Sequence, residues 1–150
     1  MTPSDATLRT NAGTVEFRFE SPTTRRNPEN FLLSINAAHP EISLGPPIGV
    51  SLFRNDIRGL NEYLRNHIEG LRVRRHAEVP VYTPLELSFL MQALDGEVET
   101  PMDGYFSLSF LVCRRFDSNG ERAYYGFEGT AILSDIHLFC SELERMADQM

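Results

Sequence analysis

Four histidines and two cysteines hold most of the metal-binding and nucleophilic potential of this chain. His39, His67, His76 and His137 show no HxH or HExxH spacing, so the pairing on one element that seats zinc is missing. His39 precedes Pro40 in a turn, and His67 falls near a helix C-terminus, where a cation is favoured. His76 lies in a basic linker and His137 in the first turn of the last helix. Each reads as a surface or cap residue. Cys113 and Cys140 make no CxxC pair and read as small buried apolar residues. Paired carboxylates occur at Glu97 and Glu99 and at Glu142 and Glu144. Carboxylate catalysis needs buried groups whose pKa values are driven apart, whereas a turn and a helix face offer solvated surface. There is no GxSxG elbow and no GxGxxG loop. All 14 basic residues are arginine, so neither a phosphate-loop lysine nor a Schiff-base lysine exists. The expectation is no catalytic, cofactor or metal site, and a protein that is not an enzyme.

Charge points elsewhere. Residues 1–75 carry ten arginines against eight acids, and residues 76–150 carry four against thirteen, which gives +2 and −9 within a net −7. Nucleic acid is a poor partner for such a chain, because phosphate binding needs a basic footprint. The densest acidic stretch is Asp95, Glu97, Glu99 and Asp103, with Pro101 and Met102 among them and no arginine. It reads either as a docking surface that steers a basic partner or as a solvated loop that blunts a strand edge. Tyr105, Phe106, Phe116, Tyr124, Tyr125 and Phe127 crowd the region that follows. Tyr124 and Tyr125 point to opposite faces of a regular strand, so one is expected at the surface, where tyrosine is a frequent binding hot spot.

The elements that must position these residues follow from periodicity. A length of 150 residues is one ordinary domain. No apolar run approaches a membrane span, and the polar start, MTPSDATLRTNAG, has no secretory core. Residues 1–13 read as a flexible tail and 14–150 as one domain. Val15–Phe19 and Phe31–Ala37 alternate as strands. Residues 21–30 read as a loop, Ile42–Leu44 as a short strand and Ile48–Phe53 as another. Asn55 or Asp56 is placed to cap a helix over 56–69 whose Ile57, Leu60, Tyr63, Leu64 and Ile68 recur at helical spacing, with Gly70 as its stop. Residues 85–93 fit a strand or a proline-led helix, and 96–104 an acidic turn. Residues 104–115 and 124–133 are strands joined by Asp117-Ser118-Asn119-Gly120, and Ser134 caps a last helix over 135–147.

Three segments recur in order: Val15–Phe19 with Leu85–Phe89, Phe31–Ile35 with Phe106–Phe110, and Asn55–Leu60 with Ser134–Phe139. They favour the strand reading of 85–93. The expected fold is α+β: a twisted antiparallel sheet of about six strands with two helices on one face, built as a duplicated strand-strand-strand-helix unit with repeats near 14–70 and 82–147.

The VEFRF strand, the NDIRGLNEYL helix, the PLELSFLMQAL segment and the closing LSDIHLFCSEL helix resemble small bacterial immunity proteins of the WapI-like kind. The resemblance implies a cytoplasmic protein that binds and neutralises a cognate toxin domain, a role that an acidic inhibitor of a basic nuclease would fit. It transfers no functional residues. A small-ligand-binding domain and a homo-oligomeric structural module are the alternatives: convergent polar groups in a pocket would mark the first, and a large exposed apolar patch the second.

Overall fold

The computed structural model describes residues 5–20, 29–74, 79–115, 119 and 121–150. The chain runs β1 (Asp5–Arg9), β2 (Gly13–Phe19), β3 (Glu29–Ala37), β4 (Ile48–Leu52), α1 (Arg54–Arg72), β5 (Phe89–Thr100), β6 (Asp103–Arg115), β7 (Arg122–Ile132) and α2 (Leu133–Gln149). The fold is α+β, but the strands form two antiparallel sheets, β1-β2-β3-β4 and β5-β6-β7, and not one.

Sequence order from β2 onward is strand-strand-strand-helix twice, as the internal comparison suggested. Two of its three matches hold in burial: Phe31, Leu33 and Ile35 face the core as Phe106, Leu108 and Phe110 do, and Ile57 and Leu60 as Ile136 and Phe139 do. The first match fails. Leu85 and Leu87 are exposed, Leu87 has φ 56°, and the strand begins at Phe89. The N-terminal tail is also corrected: residues 5–9 form β1, because Ala6 and Leu8 alternate inward and pair across from Phe17 and Val15. Ile42–Leu44 carries no strand, and Ile42 is exposed. Of the expected loop over 21–30, Glu29 and Asn30 instead begin β3; its residues 21–28, the linker residue His76, and Asp117, Ser118 and Gly120 of the expected turn lie outside the described residues.

The outer edge of β5 is closed by other groups. Tyr82 pairs with Met91 in both directions, at 2.7 and 3.0 Å. Farther along that strand Tyr63 and His67 of α1 bond to the β5 backbone. An edge occupied this way offers no ladder to β4. The helices therefore do not share one face of a single sheet. They pack on each other, α1 also against β5 and α2 also against β1, so each leans on the opposite half's sheet. The Thr7 amide donates to Glu142 of α2 at 3.2 Å, which covers the β1 edge.

Phe17 of β2 is the meeting point of the core. Its ring centroid lies 5.5 Å from Phe89, 6.0 Å from Phe110 and 5.8 Å from Phe139, so both sheets and α2 converge on one fully buried side chain. Edge-on aromatic packing of this kind is favourable beyond the area it buries.

The helix starts differ from expectation. Phe53 and Ile132 hold the N-cap positions without side-chain caps, and Ser134 is an exposed residue inside α2. At α1 the work passes to Asp56, whose carboxylate reaches back to the Phe53 amide at 2.7 Å.

Candidate functional site

The four acids sit on a paired hairpin and not on a loop. β5 and β6 stay paired as far as Thr100 and Asp103, with a register slip that leaves Glu99 unpaired between Val98 and Thr100, and Pro101 and Met102 make the turn. Val98 is the single inward anchor of this end, and its alternation with Glu97 and Glu99 is what an acidic composition conceals. Gly104, with φ 147°, lets the strands cross closely, since a side chain there would strike the Glu97 carbonyl. The tip is tied down where the His137 ring bonds to the Pro101 carbonyl. Asp95, Glu97, Glu99 and Asp103 are all exposed. Glu97 is opposite Tyr105, and Tyr105 opposite Ile132, so these three form one cross-strand row. Tyr105, Ile132 and, at the tip, Met102 are exposed apolar groups among the acids.

The tyrosines lie elsewhere. Tyr124 is opposite Cys113 and Tyr125 opposite Val112, so the two point to opposite faces; Tyr125 is exposed and Tyr124 half-buried. Tyr105 and Cys113 are separated by eight positions of β6, or about 26 Å at ~3.3 Å per residue. The structure gathers the acids at one end of the second sheet and leaves Tyr124 and Tyr125 at the other.

A second site was not anticipated. Between Ala93 and Gly96 the β5 register slips: Leu94 and Asp95 together oppose Ser107 alone, a β-bulge. The bulge turns the Leu94 carbonyl toward α1, where the His67 Nε2 lies 2.7 Å away. Beside it a cleft of about 770 Å³ opens between α1, β5 and residues 79–80. Its helical wall is Tyr63, Asn66, His67, Gly70 and Leu71, the i, i+3, i+4, i+7, i+8 stripe of one helix face, and Arg74 extends it just past the helix C-cap. The opposite wall runs from Gln92 to Gly96. The Tyr63 hydroxyl donates to the Pro80 carbonyl at 2.7 Å and accepts the Ala93 amide at 2.9 Å, which locks the three segments together.

His67 is not the surface residue its position suggested. It is buried, with its ring edge-on to Phe106 at 4.8 Å. Burial pushes its pKa below the usual 6.5, against the opposing pull of the Leu94 carbonyl and Asp95. The imidazole is thus neutral at pH 7. Because Nε2 faces a carbonyl it holds the proton, and Nδ1 keeps the lone pair. Burial likewise raises the pKa of Tyr63 and, more strongly, of Tyr82.

The remaining nucleophiles are quiet. Cys113 and Cys140 are both free thiols, and burial lifts the Cys140 pKa to about 11, far from a reactive thiolate. His39 is exposed and 4.0 Å from Glu41. No three His, Cys, Asp or Glu side chains among the described residues converge as a metal site would require. No helix among the described residues is long and apolar enough to cross a membrane. No protein-family model, curated protein or solved structure matches this chain.

Proposed function

We propose that the protein is a non-enzymatic binding module that docks a basic protein partner on the β5–β6 hairpin, in the manner of an immunity protein neutralising a cognate bacterial toxin domain. The observation that carries this reading is the hairpin end: four exposed acids and the exposed side chains of Met102, Tyr105 and Ile132 share one end of a tethered sheet, with Glu97 in the same cross-strand row as Tyr105 and Ile132. An apolar centre with a charged rim is the anatomy of a protein interface. The rim charges would act over about a Debye length, ~8 Å at physiological salt, and speed encounter with a positive surface. A fixed backbone keeps the entropic cost of docking low. The negative second half, at −9 over residues 76–150, extends the same field. The WapI-like resemblance agrees with such a role in the cytoplasm.

The test replaces Asp95, Glu97, Glu99 and Asp103 together with Asn and Gln. The partner assayed is a basic toxin domain, if one is encoded immediately upstream, and association is followed by surface plasmon resonance across a salt series. Slower association and a flatter salt dependence are expected, with unfolding stability nearly unchanged. Unaltered association removes the hairpin from the interface. Reproducible turnover by the purified protein, abolished by one point substitution, would overturn the non-enzymatic reading. The cleft beside His67 is the specific observation favouring a second role, in small-ligand binding.

A further inference from the structure

We infer that the cleft between α1 and β5 binds a small zwitterion with an apolar body, of the size and charge of a dipeptide. This goes beyond the docking surface and shares Asp95 with it. A volume near 770 Å³ lies within the range of small-molecule sites, ~300–1,000 Å³.

The charges of the cleft select the ligand class. Arg74 stands on the helical wall and Asp95 on the strand wall, both exposed. Among the described residues the ion pairs within 4.0 Å do not include either of them. A simple anion would meet Asp95, and a simple cation would meet Arg74, so each is disfavoured by one wall. A ligand with separated ammonium and carboxylate ends satisfies both. The ammonium would donate to the Asp95 carboxylate and to the bare Nδ1 of His67, whose other nitrogen is engaged by the Leu94 carbonyl. The carboxylate would accept from the Arg74 guanidinium, whose planar fork suits it. Leu71, Val79 and Pro80 supply apolar contact for the body between.

Two backbone features build this arrangement. Arg74 follows the C-cap Val73 and has φ 55°, a left-handed position that usually takes glycine. The bulge at Leu94 and Asp95 is the other, and it presents both the carbonyl that orients His67 and the carboxylate. Left-handed non-glycine residues and bulges both concentrate at functional sites. Tyr63 has its hydroxyl committed on both sides, so it forms wall and not ligand contact.

The probe is leucyl-leucine, titrated into the isotopically labelled full chain and followed by amide NMR. Saturable shifts confined to the amides of His67, Gly70, Leu71, Arg74, Val79 and residues 92–96 are expected. N-acetyl-leucyl-leucine and leucyl-leucinamide each lack one charge and should bind at least about tenfold more weakly, the scale of one lost charge-assisted hydrogen bond. Gly70→Phe should abolish binding, because a side chain built at Gly70 meets nothing within 4 Å and projects from the cleft wall. Arg74→Gln and Asp95→Asn change exposed residues, and each should weaken binding about tenfold with an unchanged fold. Glu97→Gln should leave it unaffected. Absence of localised shifts with the wild-type chain overturns the inference, and so does equal binding by the two charge-neutral variants.

Discussion

Asp56→Ala should be among the most damaging single substitutions outside the apolar core. The side chain is buried in the first turn of α1, and it ties three segments together. One carboxylate oxygen accepts the Phe53 amide at 2.7 Å, and the other accepts the Leu85 amide at 2.9 Å. The residue's own carbonyl accepts the Tyr82 hydroxyl, which survives truncation. Alanine deletes two charge-assisted hydrogen bonds, worth about 1.5–3 kcal/mol each where water is excluded. It also removes a favourable charge at a helix N-terminus, about 0.3–1 kcal/mol. Both bonds are only part-buried, and water can replace some of each, so the expected loss is about 2–4 kcal/mol. Asp56→Asn keeps the shape and one carbonyl acceptor and should lose about half as much. Equilibrium unfolding in urea measures both. With a slope of roughly 1–3 kcal/mol per molar, the alanine variant's midpoint should fall by on the order of 1–2 M. Amide hydrogen exchange adds a local reading: Leu85 should lose its protection in Asp56→Ala, while Phe17 and Phe110 should lose no more than the global destabilisation accounts for. A loss under about 0.5 kcal/mol would refute the argument that Asp56 clamps the 82–85 segment to the helix.

Leu60 and Phe139 occupy matching places on the two helices, and both are fully buried. Truncation to Ala should cost about 2–5 kcal/mol for either, and a chemical-denaturation loss near zero would show that the helices do not cover the core. For His67, the folded pKa lies below 6.5, so between those two values the unfolded chain binds the extra proton. Its contribution is therefore full above about pH 6.5 and is lost as pH falls through the folded pKa. The stability gap between wild type and His67→Gln should shrink as pH is lowered from about 7 to about 5, and a gap that widens contradicts a neutral buried imidazole.

Periodicity carried the reading of this fold where one face of an element is buried and the other wet. β3 and β6 were legible for that reason, as was the apolar stripe of α1. β1 escaped because Ala6 and Leu8 are too few to announce alternation among Thr, Asp and Arg. Residues 85–88 misled in the other direction. Their leucines alternate in sequence, but Pro84 and the left-handed Leu87 hold them out of the ladder, with Leu85 in solvent. The closed edge of β5 was illegible, since the groups that close it come from Tyr63, His67 and Tyr82, residues that no local pattern assigns to β5.

The two surfaces differ in the same respect. The acidic hairpin is contiguous in sequence, so composition alone singled out Asp95, Glu97, Glu99 and Asp103. The cleft is half legible: Asn66, His67 and Gly70 follow the apolar stripe of α1 at helical spacing from Tyr63, and Arg74 lies just past the helix end. Nothing in that stripe says what it faces. The facing wall exists because two residues, Leu94 and Asp95, are fitted opposite Ser107 alone. In a regular ladder successive side chains alternate between the two faces of the sheet. The extra residue interrupts that alternation and leaves Leu94 and Asp95 without partners on β6, with the Leu94 carbonyl turned to His67 and the Asp95 carboxylate at the rim. Asp95 thus belongs to both surfaces, as the first acid of the hairpin and the last residue before Gly96 on the cleft wall. Its neutralisation should affect partner association and zwitterion binding together, whereas Glu97→Gln should affect only the first.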